Sequence, residues 1–317
     1  MENNLVDCCI IGGSAAGLSA ALILGRCNRK VLVFDDGKYR NYAVDKMNGY
    51  LGFDGSDPKE FRTKACKDLE KYDVKIINSH VDNIEMIGEY GNHFFIVYYE
   101  FYTVKTKTVI LATGLIDQLP EIEGLKENYG KRAQHCNICE MYEYRNQKIG
   151  IHGELGLDFA LVCKTWSNDI VWFADKEPSE EEKQICRDSK ISVVSDKVLK
   201  FSFDQHKLWV WVEPNTISKN HYDWNGNLKP VTNHKVDVVF LSLLKGQKQR
   251  SKLAEKLGLK VTKENGIECN TECETSISGV YSAGDCSRDH LPSIVATSEG
   301  CKAAINCSSY IRKVWGK

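Results

Sequence analysis

The residues best suited to chemistry are two cysteines three positions apart, in Cys136-Asn137-Ile138-Cys139. Thiols at this spacing can close a small disulfide, and a neighbouring helix N-terminus or cation favours the thiolate that attacks another disulfide. His135 directly before the pair and Glu140 directly after it are the side chains best placed by sequence to hold or pass a proton. A second constellation lies near the N-terminus, where Gly12-Gly13-Ser14-Ala15-Ala16-Gly17 is followed by Asp35 eighteen residues beyond Gly17. Gly12 permits a tight turn, a small Ser14 lets a pyrophosphate reach the backbone, Gly17 lets a helix pack closely, and Asp35 can accept from ribose hydroxyls. Serine replaces the middle glycine of that fingerprint, but it is small and can itself donate to phosphate.

The elements that must carry these groups follow from hydrophobic runs. Val6 to Ile11 is fully apolar, as in a strand buried on both faces, and a small-residue helix and the strand Val31 to Phe34 follow the glycine turn. Asp57-Pro58 with Glu60 predicts a capped helix to about Tyr72, and the runs Val81 to Ile87 and Phe94 to Phe101, joined through Gly88 to Asn92, predict a hairpin. A buried strand then leads through Thr108 to Gly114. Near Lys148 the plan restarts: strand to His152, turn Gly153 to Gly156, helix to about Trp166, and strand Ile170 to Phe173. Ser179 with Glu182 predicts another helix cap, and Phe201 to Val212 another hairpin in which Trp209 and Trp211 share one face, expected to pack into the core. Val236 to Leu241 closes the second unit, and Gly279 to Asp285 returns the chain to the first sheet. Two halves on one plan predict an α/β fold of two Rossmann-like dinucleotide-binding domains, with residues 1–116 and 246–317 forming one and residues 117–245 inserted as the other.

Composition narrows the function. Across 317 residues, 42 basic against 43 acidic side chains give a net charge of −1, which lacks the basic footprint that nucleic acid or an anionic membrane requires. The uncharged stretch Cys8 to Gly25 is broken by Gly12, Gly13 and Gly17 and preceded by acidic residues, so neither a membrane span nor a targeting segment is expected. Thirteen scattered cysteines in a chain of this length point to a reducing cytoplasm. Cys8, Cys9, Cys163, Cys301 and Cys307 are expected to pack as small hydrophobes, and His152 as a polar core residue. A zinc site built from Cys136, Cys139, Cys269 and Cys273 is the competing reading, disfavoured because the second pair is spaced by three residues instead of two. No metal is expected.

Three separated segments, Gly12 to Gly17, Ala112-Thr113-Gly114 and Gly279-Val-Tyr-Ser-Ala-Gly-Asp285, together resemble the flavin-dependent thioredoxin reductases of the two-domain pyridine nucleotide-disulfide oxidoreductases, over nearly the whole chain. The resemblance implies FAD on the first domain. Gly12, Gly13, Ser14, Ala16 and Gly17 would meet the pyrophosphate, Thr113 and Gly114 would line the flavin at the domain crossover, and Asp285 would meet the ribityl chain. Arg40, Asn41 and Asn48 fall where further FAD contacts lie, and Val81 where the backbone meets adenine. Cys136–Cys139 stands where the family's redox pair does, with Cys139 facing flavin, Cys136 exchanging with substrate, and Glu140 in place of the usual aspartate. A thioredoxin-like protein or a small dithiol is the implied partner, and a homodimer the implied assembly.

The chain departs from the family where NADPH should bind. The second turn reads Gly153-Glu154-Leu155-Gly156-Leu157-Asp158, with bulky Leu155 at the central position and two carboxylates near the place of a pyrophosphate. Each such like-charge pair costs on the order of 1 to 4 kcal/mol at intermediate dielectric. Where arginines should meet a 2′-phosphate, the chain reads Phe173-Ala-Asp-Lys-Glu-Pro178 and then Ser179-Glu-Glu-Glu182; Asp175 could suit the ribose of NADH. NADPH is therefore doubtful, and the expected electron donor is a ferredoxin-like protein, or the flow reverses and a dithiol feeds dioxygen. The acidic run Glu177 to Glu182 is expected to be a solvated helix start more than a docking face. A nicotinamide-dependent reductase, a flavin monooxygenase and a non-enzymatic flavin or zinc scaffold are the other readings.

Overall fold

A computed structural model describes residues 5–89, 92–153, 155–204, 207–213, 221–222, 233–243, 247–287 and 292–316. The chain divides into two compact units. The first comprises Met1–Tyr42, Lys46–Ile116 and Gln247–Lys317; the second comprises Ala43–Asp45 with Asp117–Gly246.

In the first unit the apolar run at the N-terminus becomes β1 (Leu5–Ile11), α1 (Ala15–Arg26) follows the glycine turn, and β2 (Val31–Phe34) is buried throughout. After them come α2 (Pro58–Leu69), β3 (Val74–Ile77), β4 (Asn83–Glu89), β5 (Asn92–Tyr99) and β6 (Tyr102–Leu111). The sheet order is β3-β2-β1-β6-β5-β4, with the strand Val280–Ser282 also paired to β6. β1 runs parallel to β2 and β6, with Ile10 opposite Val33 and Ile110, whereas β4, β5 and β6 are antiparallel. Parallel strands covered on both faces need continuous apolar sequence, and Cys8, Cys9 and Ile10 are fully buried.

The helix Ser293–Trp315 packs along α1, and the contact is a backbone approach. A Cβ on Gly300 would lie 2.0 Å from the Ala16 carbonyl oxygen, so only glycine fits. Ser19 Oγ donates to the Thr297 carbonyl at 2.8 Å and Arg29 Nε to Ser308 Oγ at 3.1 Å, fixing the two helices in register.

The second unit repeats the plan. Ile149–Gly153, Ile170–Phe173 and Ile191–Val194 run parallel in sequence order, and Val238–Ser242 and Ala133–Gln134 extend the sheet on the other side of Ile149–Gly153. His221–Tyr222 adds an antiparallel edge. Val198–Phe203, Leu208–Val212 and Asn233–Val236 form a separate three-stranded antiparallel sheet.

Local details differ from the sequence expectation at several points, among them the end of α2 at Leu69, short of Tyr72. Trp209 and Trp211 stand on the outward face, Trp211 at 39% exposure, because Leu208, Val210 and Val212 take the buried face of the same strand. Their indole N–H groups donate to Asp204 Oδ2 and Ser202 Oγ, both at 2.8 Å. At α2, Asp57 Oδ1 accepts from the Lys59 N–H at 2.6 Å, an Asx-type cap one position short of a capping box. The helix after Gly153 ends at Cys163, short of Trp166. At Ser179 the full capping box forms, and Lys183 bridges Glu177 at 2.6 Å and Glu180 at 2.9 Å, as befits a solvated acidic helix start.

One buried ion pair joins β1 to β6. Lys107 Nζ donates to Asp7 Oδ1 at 2.5 Å, with side chains 6% and 13% exposed. Burial alone would raise the Asp7 pKa, but the Lys107 hydrogen bond and the Lys30 backbone N–H outweigh it and hold the carboxyl below its ordinary value. A depressed carboxylate contributes stability above its unfolded pKa and loses it as the pH falls through the folded one. Lys107→Ala is expected to destabilise the first unit by about 3 kcal/mol at neutral pH, because it leaves a buried charge unpaired. Urea unfolding at pH 7 and pH 3 checks this: the deficit should shrink at the lower pH, as Asp7 protonates.

Candidate active site

The glycine turn between β1 and α1 is shaped by what a side chain would strike. Gly12 has φ +114°, and a Cβ there would lie 2.2 Å from the Ala112 carbonyl oxygen at the end of β6. At Gly17 a Cβ would lie 1.8 Å from the Gly12 carbonyl oxygen, so the first turn of α1 presses directly on the turn that precedes it. Ser14 is extended at the N-cap and makes no side-chain cap bond, and the first turn of α1 holds no acidic residue. A helix start with no capping side chain and no acid in its first turn favours an anion, and the backbone here leaves a cradle that a pyrophosphate would fit.

The acid at the end of β2 is already engaged. Asp35 Oδ2 accepts from the Tyr39 hydroxyl at 2.6 Å and Oδ1 from the Gly37 N–H at 3.1 Å. The Arg62 guanidinium lies 3.8 Å above the Tyr39 ring and donates to Asn41 Oδ1 at 3.4 Å. Burial, then the Asp35 carboxylate, push the Tyr39 phenol well above its ordinary pKa, so it stays a donor. No sequence motif marks Tyr39 or Arg62; the linear sign is the spacing of four from Asp35 to Tyr39.

Arg40 and Asp285, 245 residues apart, meet in an ion pair of 2.9 Å with side chains 13% and 20% exposed. Glu299 fixes the Asp285 loop by accepting from the Gly284 N–H at 2.9 Å. Gly114 has φ +66° with open space at its Cβ position, which leaves room beside the end of β6. Thr113 and Asn48 are half-buried, and Val81 is buried in the first unit's core. The predicted residues Gly12 to Gly17, Asp35, Arg40, Asn41 and Asp285 thus all belong to the first unit, with Arg40 and Asp285 in direct contact.

The matching turn of the second unit has the same opening and a different floor. Gly153 has φ +121° and its Cβ position lies 2.6 Å from the Ser242 carbonyl oxygen, as Gly12 lies against Ala112. Beyond it, however, Leu155 holds the N-cap at 40% exposure, and Asp158 stands in the first turn at the position equivalent to Gly17. Glu154 lies outside the described residues. Asp175, a non-glycine residue at φ +54°, spends Oδ1 on the Val198 N–H at 2.8 Å and sets Oδ2 3.5 Å from His152 Nε2. His152 is buried, and that burial pulls its pKa below the ordinary imidazole value.

The cysteine pair lies in the second unit and is closed as a disulfide between Cys136 and Cys139. Cys136 caps the short helix Asn137–Glu140, its sulfur accepting from the Cys139 N–H at 3.1 Å. An N–H aimed at a sulfur favours the thiolate once the bond is reduced. Cys136 is 4% exposed and Cys139 half-buried, while Ile138 between them is 66% exposed. Glu140 ends the helix, and His135 is half-buried with Nδ1 2.7 Å from the Tyr129 hydroxyl. The two sulfurs are bonded to each other instead of held open for a metal, and among the described residues no group of three His, Cys, Asp or Glu side chains could hold one. No described helix is long and apolar enough to cross a membrane.

Comparison with known proteins gives this geometry a family. The family model for pyridine nucleotide-disulphide oxidoreductases matches residues 6–304. A "Probable thioredoxin reductase" from Arthroderma benhamiae is 38% identical over 180 residues, which are 53% of this chain and 43% of that protein, so the chain spans less than half the length of that curated relative. Thioredoxin reductase sirT from Leptosphaeria maculans is 28% identical over 313 residues, covering 95% of this chain and 92% of its own. The crystal structure of HlmI superposes with a TM-score of 0.88 at 25% identity, over 100% of this chain and 95% of that one. With a family match across both Rossmann-like units, and with relatives of this kind along nearly its whole length, the chain belongs to the pyridine nucleotide-disulphide oxidoreductases and is thioredoxin reductase-like.

Proposed function

We propose that the chain is a flavin-dependent thiol–disulfide oxidoreductase in which two electrons pass between FAD and a dithiol or disulfide substrate through Cys136 and Cys139, with no working nicotinamide site. The observation that carries this reading is the contrast between the two glycine turns on a chain that also holds a closed cysteine pair. FAD, when bound, supplies a reversible two-electron acceptor. The residues that would hold it are Gly12, Gly13, Ser14, Ala16 and Gly17 at the pyrophosphate, Asp35 at the ribose, and Arg40, Asn41, Asn48, Val81, Thr113, Gly114 and Asp285 elsewhere along the cofactor. Residues 1–116 with 246–317 form the FAD-binding domain in this reading, and residues 117–245 carry the pair.

At the pair, a substrate thiolate attacks one sulfur and the other leaves; Glu140 and His135 are the groups that hold or return protons. Cys136 is the sulfur assigned to the substrate and Cys139 the one assigned to flavin. The 4% exposure of Cys136 means that exchange there requires its sulfur to become more accessible than in this arrangement. Thioredoxin, which the names of several relatives carry, is a candidate substrate here beside small dithiols. A homodimer in the cytoplasm is the expected setting.

Loss of the nicotinamide site is supported by Leu155 and Asp158 at the second turn, and by an acidic segment where a 2′-phosphate would need cations. Electrons then come from a ferredoxin-like donor, or run from a dithiol to dioxygen. Anaerobic titration with NADPH and with NADH is expected to leave the flavin absorbance unbleached at stoichiometric nucleotide; prompt bleaching by either restores an ordinary nicotinamide-dependent reductase. Cys136→Ser and Cys139→Ser are each expected to retain FAD and to abolish flavin reduction by dithiothreitol. Survival of that reduction with a lowered melting temperature makes the disulfide a structural staple.

A further inference from the structure

The proton chemistry of the cysteine pair points to two residues that no sequence motif marks. Asp117 ends the strand Leu115–Asp117, Tyr129 follows the helical turn Leu125–Asn128, and His135 follows the strand Ala133–Gln134. Gly130, at φ +78°, lets the chain turn back so that its N–H donates to the Ala133 carbonyl at 2.9 Å. That closure stacks the Tyr129 and His135 rings, with centroids 5.7 Å apart and planes 15° from parallel. The Tyr129 hydroxyl lies 2.7 Å from His135 Nδ1 and 3.1 Å from Asp117 Oδ2, and Tyr129 is only 7% exposed.

The direction of these bonds is set by proton count. A phenol has one proton and a carboxylate can only accept. The Tyr129 hydroxyl therefore donates to Asp117, and its oxygen accepts from His135 Nδ1–H. A neutral imidazole protonated at Nδ1 carries its lone pair on Nε2.

We propose that Asp117 and Tyr129 are positioning residues that fix His135 as the Nδ1–H tautomer, making Nε2 the proton acceptor for exchange at Cys136–Cys139. The inference rests on the proposed role of the pair. An incoming dithiol gives one thiol proton to Nε2, and the resulting thiolate forms a bond to one sulfur of the pair as the Cys136–Cys139 bond breaks. The leaving thiolate takes the proton back from Nε2. The substrate's second thiol, its proton passing through Nε2 in turn, then displaces the enzyme sulfur. The substrate ends as a disulfide, and the pair as two thiols holding the two electrons. A base oriented by a third group is the arrangement that makes such a relay directional.

The test uses the full-length protein, dithiothreitol as the dithiol, and two readouts that need no flavin. Ring ¹⁵N spectra, with His135 assigned by its loss in His135→Gln, should show the Nδ1–H form in the wild type. Asp117→Asn supplies an amide that can donate to the Tyr129 oxygen, which turns the hydroxyl proton toward Nδ1 and should convert the ring to the Nε2–H form. Tyr129→Phe should abolish the preference. In both variants, reduction of the pair, followed by quenched thiol alkylation and mass measurement, should slow by roughly tenfold to a hundredfold. A wild-type ring in the Nε2–H form overturns the proposal, as does a folded variant of either kind that is reduced at the wild-type rate. Should Asp117→Asn fail to fold, Tyr129→Phe decides alone. A pair reduced as described in a protein that holds no flavin would refute the proposed function and leave this inference standing.

Discussion

A helix that starts hard against the end of a buried strand can take up an anion only if nothing but backbone stands between them. At Gly12 and Gly17 that condition is met to the point that a single methyl would strike a carbonyl oxygen at 2.2 Å or 1.8 Å. The rest of the first unit is arranged to preserve this closeness. The helix Ser293–Trp315 presses Gly300 onto the Ala16 carbonyl from behind, and β6 brings Ala112 against Gly12 from the side. The Arg40–Asp285 pair then joins the segment after β2 to the loop before the last helix. A site assembled from segments so far apart in sequence depends on that packing, since no local element holds these groups together.

The second unit shows what remains when the same constraint is relaxed. Its strands are as apolar and as buried as those of the first, so the sheet persists; Gly153 still turns against a neighbouring carbonyl. The turn positions equivalent to Ser14 and Gly17 hold Leu155 and Asp158 instead, and Asp175 is committed to Val198 and His152. Fold stability and nucleotide binding draw on different residues of one scaffold, so under the proposed function the second unit keeps its sheet without a nicotinamide site. What this unit retains is the cysteine pair and the tyrosine-held histidine before it.

Much of this was legible in sequence because it rests on short-range patterns. Continuous apolar runs marked the parallel strands, the Ser179–Glu182 spacing marked a cap that forms in full, and the Cys136–Cys139 spacing marked a bond that is present. The outward face of Trp209 and Trp211 was not legible, since alternation identifies two faces without saying which is buried; Leu208, Val210 and Val212 decide it through contacts with other strands. Nor were Tyr39, Arg62, Tyr129 and Asp117, whose partnerships depend on where loops fold back. The Arg40–Asp285 contact spans 245 residues, and only the resemblance to a family named both ends.

The account stands or falls on whether the first turn holds the cofactor it is shaped for. Heat-released flavin from the purified chain, separated and quantified against protein, is the most direct measurement. The account predicts FAD bound one to one, or restored to that ratio when the cofactor-stripped protein is incubated with FAD. A colourless protein that takes up no flavin under those conditions would contradict it.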